Sequence, residues 1–162
     1  MMMASLEYVA KSLSETHALA AALAPCLSAG DAVLLRGDLG AGKTAFVQAL
    51  ADSLGCTDEV TSPTFTLANF YRGTETTVLH VDTYRLSSVA EYRDLGLADY
   101  ADECVTLVEW GDLVSGEFPC HLRVEIASQP GSEVRTFTLS SECQRWQPVL
   151  QELERRITQA VK

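Results

Sequence analysis

The chain of 162 residues is short of lysine: Lys11, Lys43 and Lys162 are the only three among 12 cationic residues, against 22 Asp and Glu. The formal charge of −10 excludes bulk attraction to a phosphate backbone, which needs several clustered cations. Nucleic acid therefore has to be reached locally or through a partner, and no binding to DNA is expected. No apolar stretch approaches the ~20 residues of a membrane span, so no membrane segment is expected. No C-x-x-C pair occurs among Cys26, Cys56, Cys104, Cys120 and Cys143, and their gaps match no zinc pattern. They are expected to be buried free thiols, as in a reducing compartment. Residues 1–10 lack a cationic leader region, and the Ala/Leu-rich run 18–25 follows Glu7 and Glu15, so it reads as helix. A cytoplasmic protein is expected. Repeats, low-complexity tracts and linkers are also missing, which predicts a single domain over residues 1–162.

What is there is an ordinary globular composition, 47% hydrophobic and 21% charged, which excludes disordered and fibrous classes. Ser14 reads as the cap of a first helix carrying Leu19, Leu23 and Leu27 and stopped by Gly30. The apolar run Ala32–Leu35 reads as a strand covered on both faces. A helix to about Leu54 follows, ended by Gly55. Strands are expected over 65–71, 77–81 and 104–108, with helical pieces over 89–92 and 95–100 between them. Residues 121–127 and 134–139 form a hairpin across Gln129-Pro-Gly131. A last helix starts at Pro148, with Leu150, Leu153, Ile157 and Val161 as its apolar stripe. This mixture predicts an α/β fold with a mixed parallel/antiparallel sheet flanked by helices.

Between the first strand and the second helix lies Gly37-Asp38-Leu39-Gly40-Ala41-Gly42-Lys43-Thr44, which fits G-x-x-x-x-G-K-[ST]. Glycines let the backbone wind tightly, so its N–H groups converge on phosphate oxygens. The helix that follows, from Thr44 and Ala45, offers free N–H groups and a dipole that favours anions. Lys43 is placed to reach the terminal phosphates, and the Thr44 hydroxyl to ligate Mg2+. The alternative is a glycine-rich turn without a ligand.

Two apolar strands end in carboxylates, Val78-Leu-His-Val-Asp82 and Val105-Thr-Leu-Val-Glu109. Ligands of open α/β sheets lie outside the carboxyl ends of the strands. If these strands neighbour Ala32–Leu35, Asp82 and Glu109 meet the phosphate turn. One carboxylate would hold Mg2+ and the other orient the attacking group. Thr61 and Thr64 flank Pro63 in a loop where a hydroxyl either senses the terminal phosphate or closes a local turn. Arg85 either touches phosphate or pairs with a carboxylate. Trp110 stacks on a base, contacts a partner or packs in the core, and His80 and Tyr84 read as core candidates.

Guanine-specific relatives of this turn carry [NT]-K-x-D, and none of the three lysines sits in such a motif, so ATP is favoured. Three classes compete: a Mg2+-dependent ATPase, a small-molecule kinase and an assembly subunit that binds ATP without turnover. Kinases of this size bring a cationic lid over the phosphates, whereas residues 113–120 hold no cation.

The combination of motifs resembles the TsaE family, whose fold is a P-loop NTPase-like domain with a mixed sheet. The resemblance runs over residues 32–111. It rests on the Gly37–Thr44 turn, Ser62-Pro-Thr-Phe-Thr-Leu67, His80-Val-Asp-Thr-Tyr-Arg-Leu86, Gly96-Leu-Ala-Asp-Tyr100 and Val108-Glu-Trp110. The hairpin and last helix match only in length and character. The resemblance implies a Mg2+-assisted ATPase of bacterial tRNA N6-threonylcarbamoyladenosine biosynthesis. It implies work beside TsaD and TsaB, which modify adenosine 37, so that tRNA is met indirectly. It gives Lys43 and Thr44 the phosphate and metal roles, Asp82 and Glu109 the metal and water roles, and Thr64 the switch-loop role.

Overall fold

A computed structural model describes residues 4–38, 41–57, 60 and 67–160. Among the described residues, seven strands form one sheet: β1 (Ala4–Ala10), β2 (Ala32–Arg36), β3 (Ala68–Arg72), β4 (Thr77–Asp82), β5 (Cys104–Glu109), β6 (His121–Ser128) and β7 (Arg135–Ser141). Their order is β1-β7-β6-β2-β5-β4-β3. The four central strands, β6, β2, β5 and β4, run parallel. The outer strands β1, β7 and β3 run antiparallel to their neighbours. The expected mixed sheet is therefore present, and β2 lies at its middle.

Helices cover both faces. Helix α1 (Leu13–Leu23), α2 (Lys43–Ser53) and α4 (Trp146–Ala160) pack on one face through Leu19, Leu23, Phe46, Leu50, Trp146 and Leu153. The opposite face is covered by α3 (Val89–Asp94) and two 3₁₀ segments, through Tyr92, Leu97, Val114 and Phe118. The buried strands β2 and β5 read as continuous apolar runs because both of their faces meet helices.

Several elements differ from the sequence expectation. Strand β1 was not foreseen; its Ser5, Glu7 and Val9 are exposed, and the apolar Val9 on that face breaks the alternation that marks a half-buried strand. Helix α1 is capped by Ser12, not Ser14: Ser12 is extended and its Oγ accepts from the Glu15 N–H at 3.2 Å. It stops at Leu23, well before Gly30, where Pro25 tightens the chain into a 3₁₀ turn. Helix α4 starts at Trp146, so Pro148 falls inside the first turn, where its missing N–H has no helical acceptor to lose.

The expectation of buried free thiols fails for Cys120 and Cys143, which therefore lend no support to a reducing compartment, and its burial fails for Cys26, which is partly exposed. Cys120 and Cys143 form a disulfide with a Cα–Cα distance of 5.3 Å, while Cys26, Cys56 and Cys104 remain thiols. The hairpin explains the pair. Its register aligns Arg123 with Ser140, and the same register carried three residues outward sets Cys120 opposite Cys143. Among the described residues, no helix is long and apolar enough to cross a membrane.

Candidate functional site

The ends of three parallel strands meet at one level. Leu35 of β2 is paired with Glu109 of β5, and Glu109 with Asp82 of β4. Strand β5 thus stands between β2 and β4, and the two carboxylates project beside the turn that leaves β2. Both are buried, at 4% exposure for Glu109 and 3% for Asp82. A buried carboxylate needs partners, and each has them. Asp82 Oδ1 accepts from the Tyr84 N–H at 2.9 Å. Glu109 Oε1 lies 3.5 Å from the Thr44 hydroxyl, and its Oε2 lies 2.6 Å from His80 Nε2.

His80 was read only as a core candidate. It is fully buried and carries the site one residue deeper. A carboxylate oxygen accepts, so the Nε2–H of His80 is the donor to Glu109. The other ring nitrogen, Nδ1, lies 3.2 Å from the Tyr71 hydroxyl. The signal was present in the strand period: His80 and Asp82 are two residues apart on β4 and share a face. Thr83 was also missed. Its hydroxyl donates to the Trp110 carbonyl at 2.6 Å and ties the end of β4 to the turn after β5.

At the two described glycines of the turn after β2, Gly37 and Gly42, a side chain would not fit the backbone. A Cβ on Gly37 would stand 2.7 Å from the Ile126 carbonyl oxygen. Gly42 has φ +105, a conformation that other residues rarely adopt, immediately before α2 begins. Lys43 is the first residue of α2 and folds back over the turn. Its Nζ donates to the Gly37 carbonyl at 2.5 Å and to the Asp38 carbonyl at 3.1 Å. It also lies 4.3 Å from the centre of the Trp110 ring, a cation–π contact. Burial pushes the Lys43 ammonium below the ordinary lysine range, while Glu109, Asp82 and Asp38 pull it back up.

Most sequence-predicted site residues therefore assemble. Gly37, Asp38, Ala41, Gly42, Lys43, Thr44 and Ala45 line the turn and the start of α2, and Glu109 and Asp82 face it. Trp110 sits over the Lys43 ammonium and beside Tyr84, with ring centres 5.5 Å apart. Arg85 lies exposed in the segment after β4. Leu39, Gly40, Thr61 and Thr64 lie outside the described residues.

The donor chemistry fits a hard divalent cation. A hydroxyl and two carboxylates are oxygen ligands, and Mg2+ usually takes one or two carboxylates and fills its other positions with phosphate oxygens and water. The turn, with its ammonium and open helix start, fits a phosphate chain.

The sheet order, the turn after the central strand and the helix behind it make this a P-loop NTPase-like α/β domain. A family model described as "Threonylcarbamoyl adenosine biosynthesis protein TsaE" matches residues 10–137. The chain belongs to the TsaE family. A Bacillus subtilis (strain 168) protein described as tRNA threonylcarbamoyladenosine biosynthesis protein TsaE is 37% identical over 142 residues, covering 87% of this chain and 89% of that one. One of the same description from Treponema pallidum (strain Nichols) is 41% identical over 116 residues, 68% of this chain and 82% of that one. The crystal structure of Bacillus subtilis YdiB superposes with a TM-score of 0.80 at 32% identity, covering 96% of this chain and 97% of that one.

Proposed function

We propose that this chain is the Mg2+-dependent ATPase of tRNA N6-threonylcarbamoyladenosine formation, hydrolysing ATP in a complex with TsaD and TsaB. The observation that carries the reading is the alignment of Leu35, Glu109 and Asp82 at one end of the sheet, against the turn that holds Lys43. Backbone N–H groups of the turn and the start of α2 take the phosphate oxygens. Lys43 leaves its two carbonyl partners and neutralises the terminal phosphates. Thr44 and one of the two carboxylates would hold Mg2+, and the other carboxylate would orient the attacking water. Mg2+, when bound, offsets the charge that builds on the phosphate oxygens. His80 keeps Glu109 in place, and Trp110 covers the Lys43 ammonium from solvent.

The net charge of −10 supports a division of labour in which tRNA is bound by the partner proteins, in the cytoplasm, and this chain supplies the nucleotide cycle. The test is phosphate release from Mg2+-ATP by the chain alone and then with TsaB and TsaD added. Slow release that the partners raise is expected. Release that the partners leave unchanged removes the coupling, and phosphate found on a small acceptor makes the chain a kinase.

A further inference from the structure

The contacts that begin at Glu109 do not end at His80. The next member is Tyr71 on the edge strand β3, and it is only 3% exposed. The pairing of β3 with β4 sets Asn69 opposite His80 and Tyr71 opposite Val78. Side chains alternate along a strand, so Asn69, Tyr71 and His80 share the face that meets α2, and Phe70 points away from it.

The Tyr71 and His80 rings are 5.9 Å apart, with the hydroxyl 3.2 Å from His80 Nδ1. The Asn69 amide donates to the Tyr71 hydroxyl oxygen at 3.4 Å. Just after α2, the Cys56 thiol donates to the Tyr71 carbonyl at 3.7 Å and holds the residue from behind. A continuous run of contacts thus joins the sheet edge to the start of α2, through Asn69, Tyr71, His80, Glu109 and Thr44.

A phenol accepts and donates at once, whereas an amide nitrogen only donates. While it accepts from Asn69, the Tyr71 hydroxyl can offer its own proton to His80 Nδ1. An Nδ1 that accepts carries a lone pair, which leaves the ring proton on Nε2, toward Glu109. The reverse tautomer would set a bare Nε2 against a carboxylate oxygen 2.6 Å away, a repulsion that a buried site does not screen.

We infer that Tyr71 is a positioning residue: its hydroxyl donates to His80 Nδ1 and so keeps Nε2–H, and with it Glu109, in its working orientation. The role in turnover rests on the ATPase reading above; the hydrogen bond does not.

The test begins with NMR of the histidine ring nitrogens in the isotope-labelled full chain without nucleotide. The parent is compared with Tyr71→Phe, which keeps the ring and drops the hydroxyl. The spectrum of His80→Gln separates His80 from His17 and His121. The parent is expected to carry the proton on Nε2, and the Nδ1 resonance to move in Tyr71→Phe. Hydrolysis of Mg2+-ATP in the presence of TsaB and TsaD is then measured, with folding followed by circular dichroism. Folded Tyr71→Phe should show kcat about tenfold lower with KM unchanged. Phe70→Ser, on the other face of β3, should match the parent in both. A parent ring protonated on Nδ1, or on both nitrogens, overturns the inference without any variant. A His80 resonance indifferent to Tyr71→Phe, a wild-type kcat in that variant, or a loss carried by KM also overturns it. If the parent hydrolyses no ATP, the ATPase reading falls and the positioning role with it, while the parent spectrum still decides whether the hydrogen bond stands.

Discussion

His80 Nε2 stands 2.6 Å from Glu109 Oε2, and both side chains are buried. The contact occupies one carboxylate oxygen and leaves the other facing Thr44. An imidazole locked against a carboxylate in this way sets the orientation of the carboxylate and fixes its own tautomer. Replacement by Ala leaves Glu109 buried without its donor, at a cost of ~1–3 kcal/mol in stability. His80→Ala is expected to lower phosphate release about tenfold with little change in ATP affinity, and His80→Gln, which keeps a donor, to restore part of the loss. Wild-type turnover in the folded Ala variant would show that His80 only packs.

Asp82 and Glu109 are cross-strand partners in register, so the proposed mechanism sets both at the same end of the nucleotide. Neither lies within the turn proposed to hold the phosphates. Asp82→Asn and Glu109→Gln are each expected to cut turnover by a factor of ~100 or more, because both remove charge where metal and water are organised. ATP affinity should change far less. Full turnover in both variants, with tight binding, would identify an assembly subunit that uses ATP as a ligand.

Lys43 already has two carbonyl partners and a ring beneath it, so phosphate must exchange for them. A charge-assisted contact to phosphate contributes about 3 kcal/mol, so Lys43→Ala should weaken ATP binding about 100-fold. tRNA threonylcarbamoyladenosine formation should fail with that variant; unchanged formation would sink the mechanism. The sign of the pH effect follows from burial. Because the ammonium sits below the ordinary lysine range, ATP affinity should fall as pH rises through that lowered value, earlier than for an exposed lysine. Folding responds in the opposite sense: the unfolded chain binds the extra proton, so stability rises with pH across the same window.

How much of this was legible in the sequence differs from residue to residue. The turn from Gly37 to Thr44 was readable because glycine spacing and a flanking apolar strand specify backbone shape directly. Asp82 and Glu109 were readable as the ends of apolar runs. Their meeting was not, since it depends on β5 inserting between β2 and β4, and strand order is set by pairings distant in sequence. His80 was half legible: its spacing from Asp82 puts both on one face of β4, but a lone polar residue in an apolar strand looks the same whether it supports the core or a site. Strand β1 was hidden by the apolar Val9 on its solvated face. A cavity beside Gly42 was invisible, because its walls come from α1 and β7, more than a hundred residues apart.

The cysteine pair shows the same limit and gives the last prediction. Opposition of Cys120 and Cys143 follows from hairpin register, which neither the cysteine count nor the spacing reveals. The bond closes a loop of sequence separation 23 and ties the base of the β6–β7 hairpin to the approach to α4. Restricting a loop of that length in the unfolded chain stabilises the fold by about 3 kcal/mol. For a domain of this size, reduction or Cys143→Ser should therefore lower Tm by roughly 6–12 °C. Thiol titration of the unfolded, unreduced protein should find the three thiols Cys26, Cys56 and Cys104. Five reactive thiols before reduction, or a melting temperature indifferent to reductant, would show that the two sulfurs stand together unbonded. The hairpin would then be held by its strand pairing and by the Ser141 hydroxyl, which donates to the His121 carbonyl at 2.8 Å.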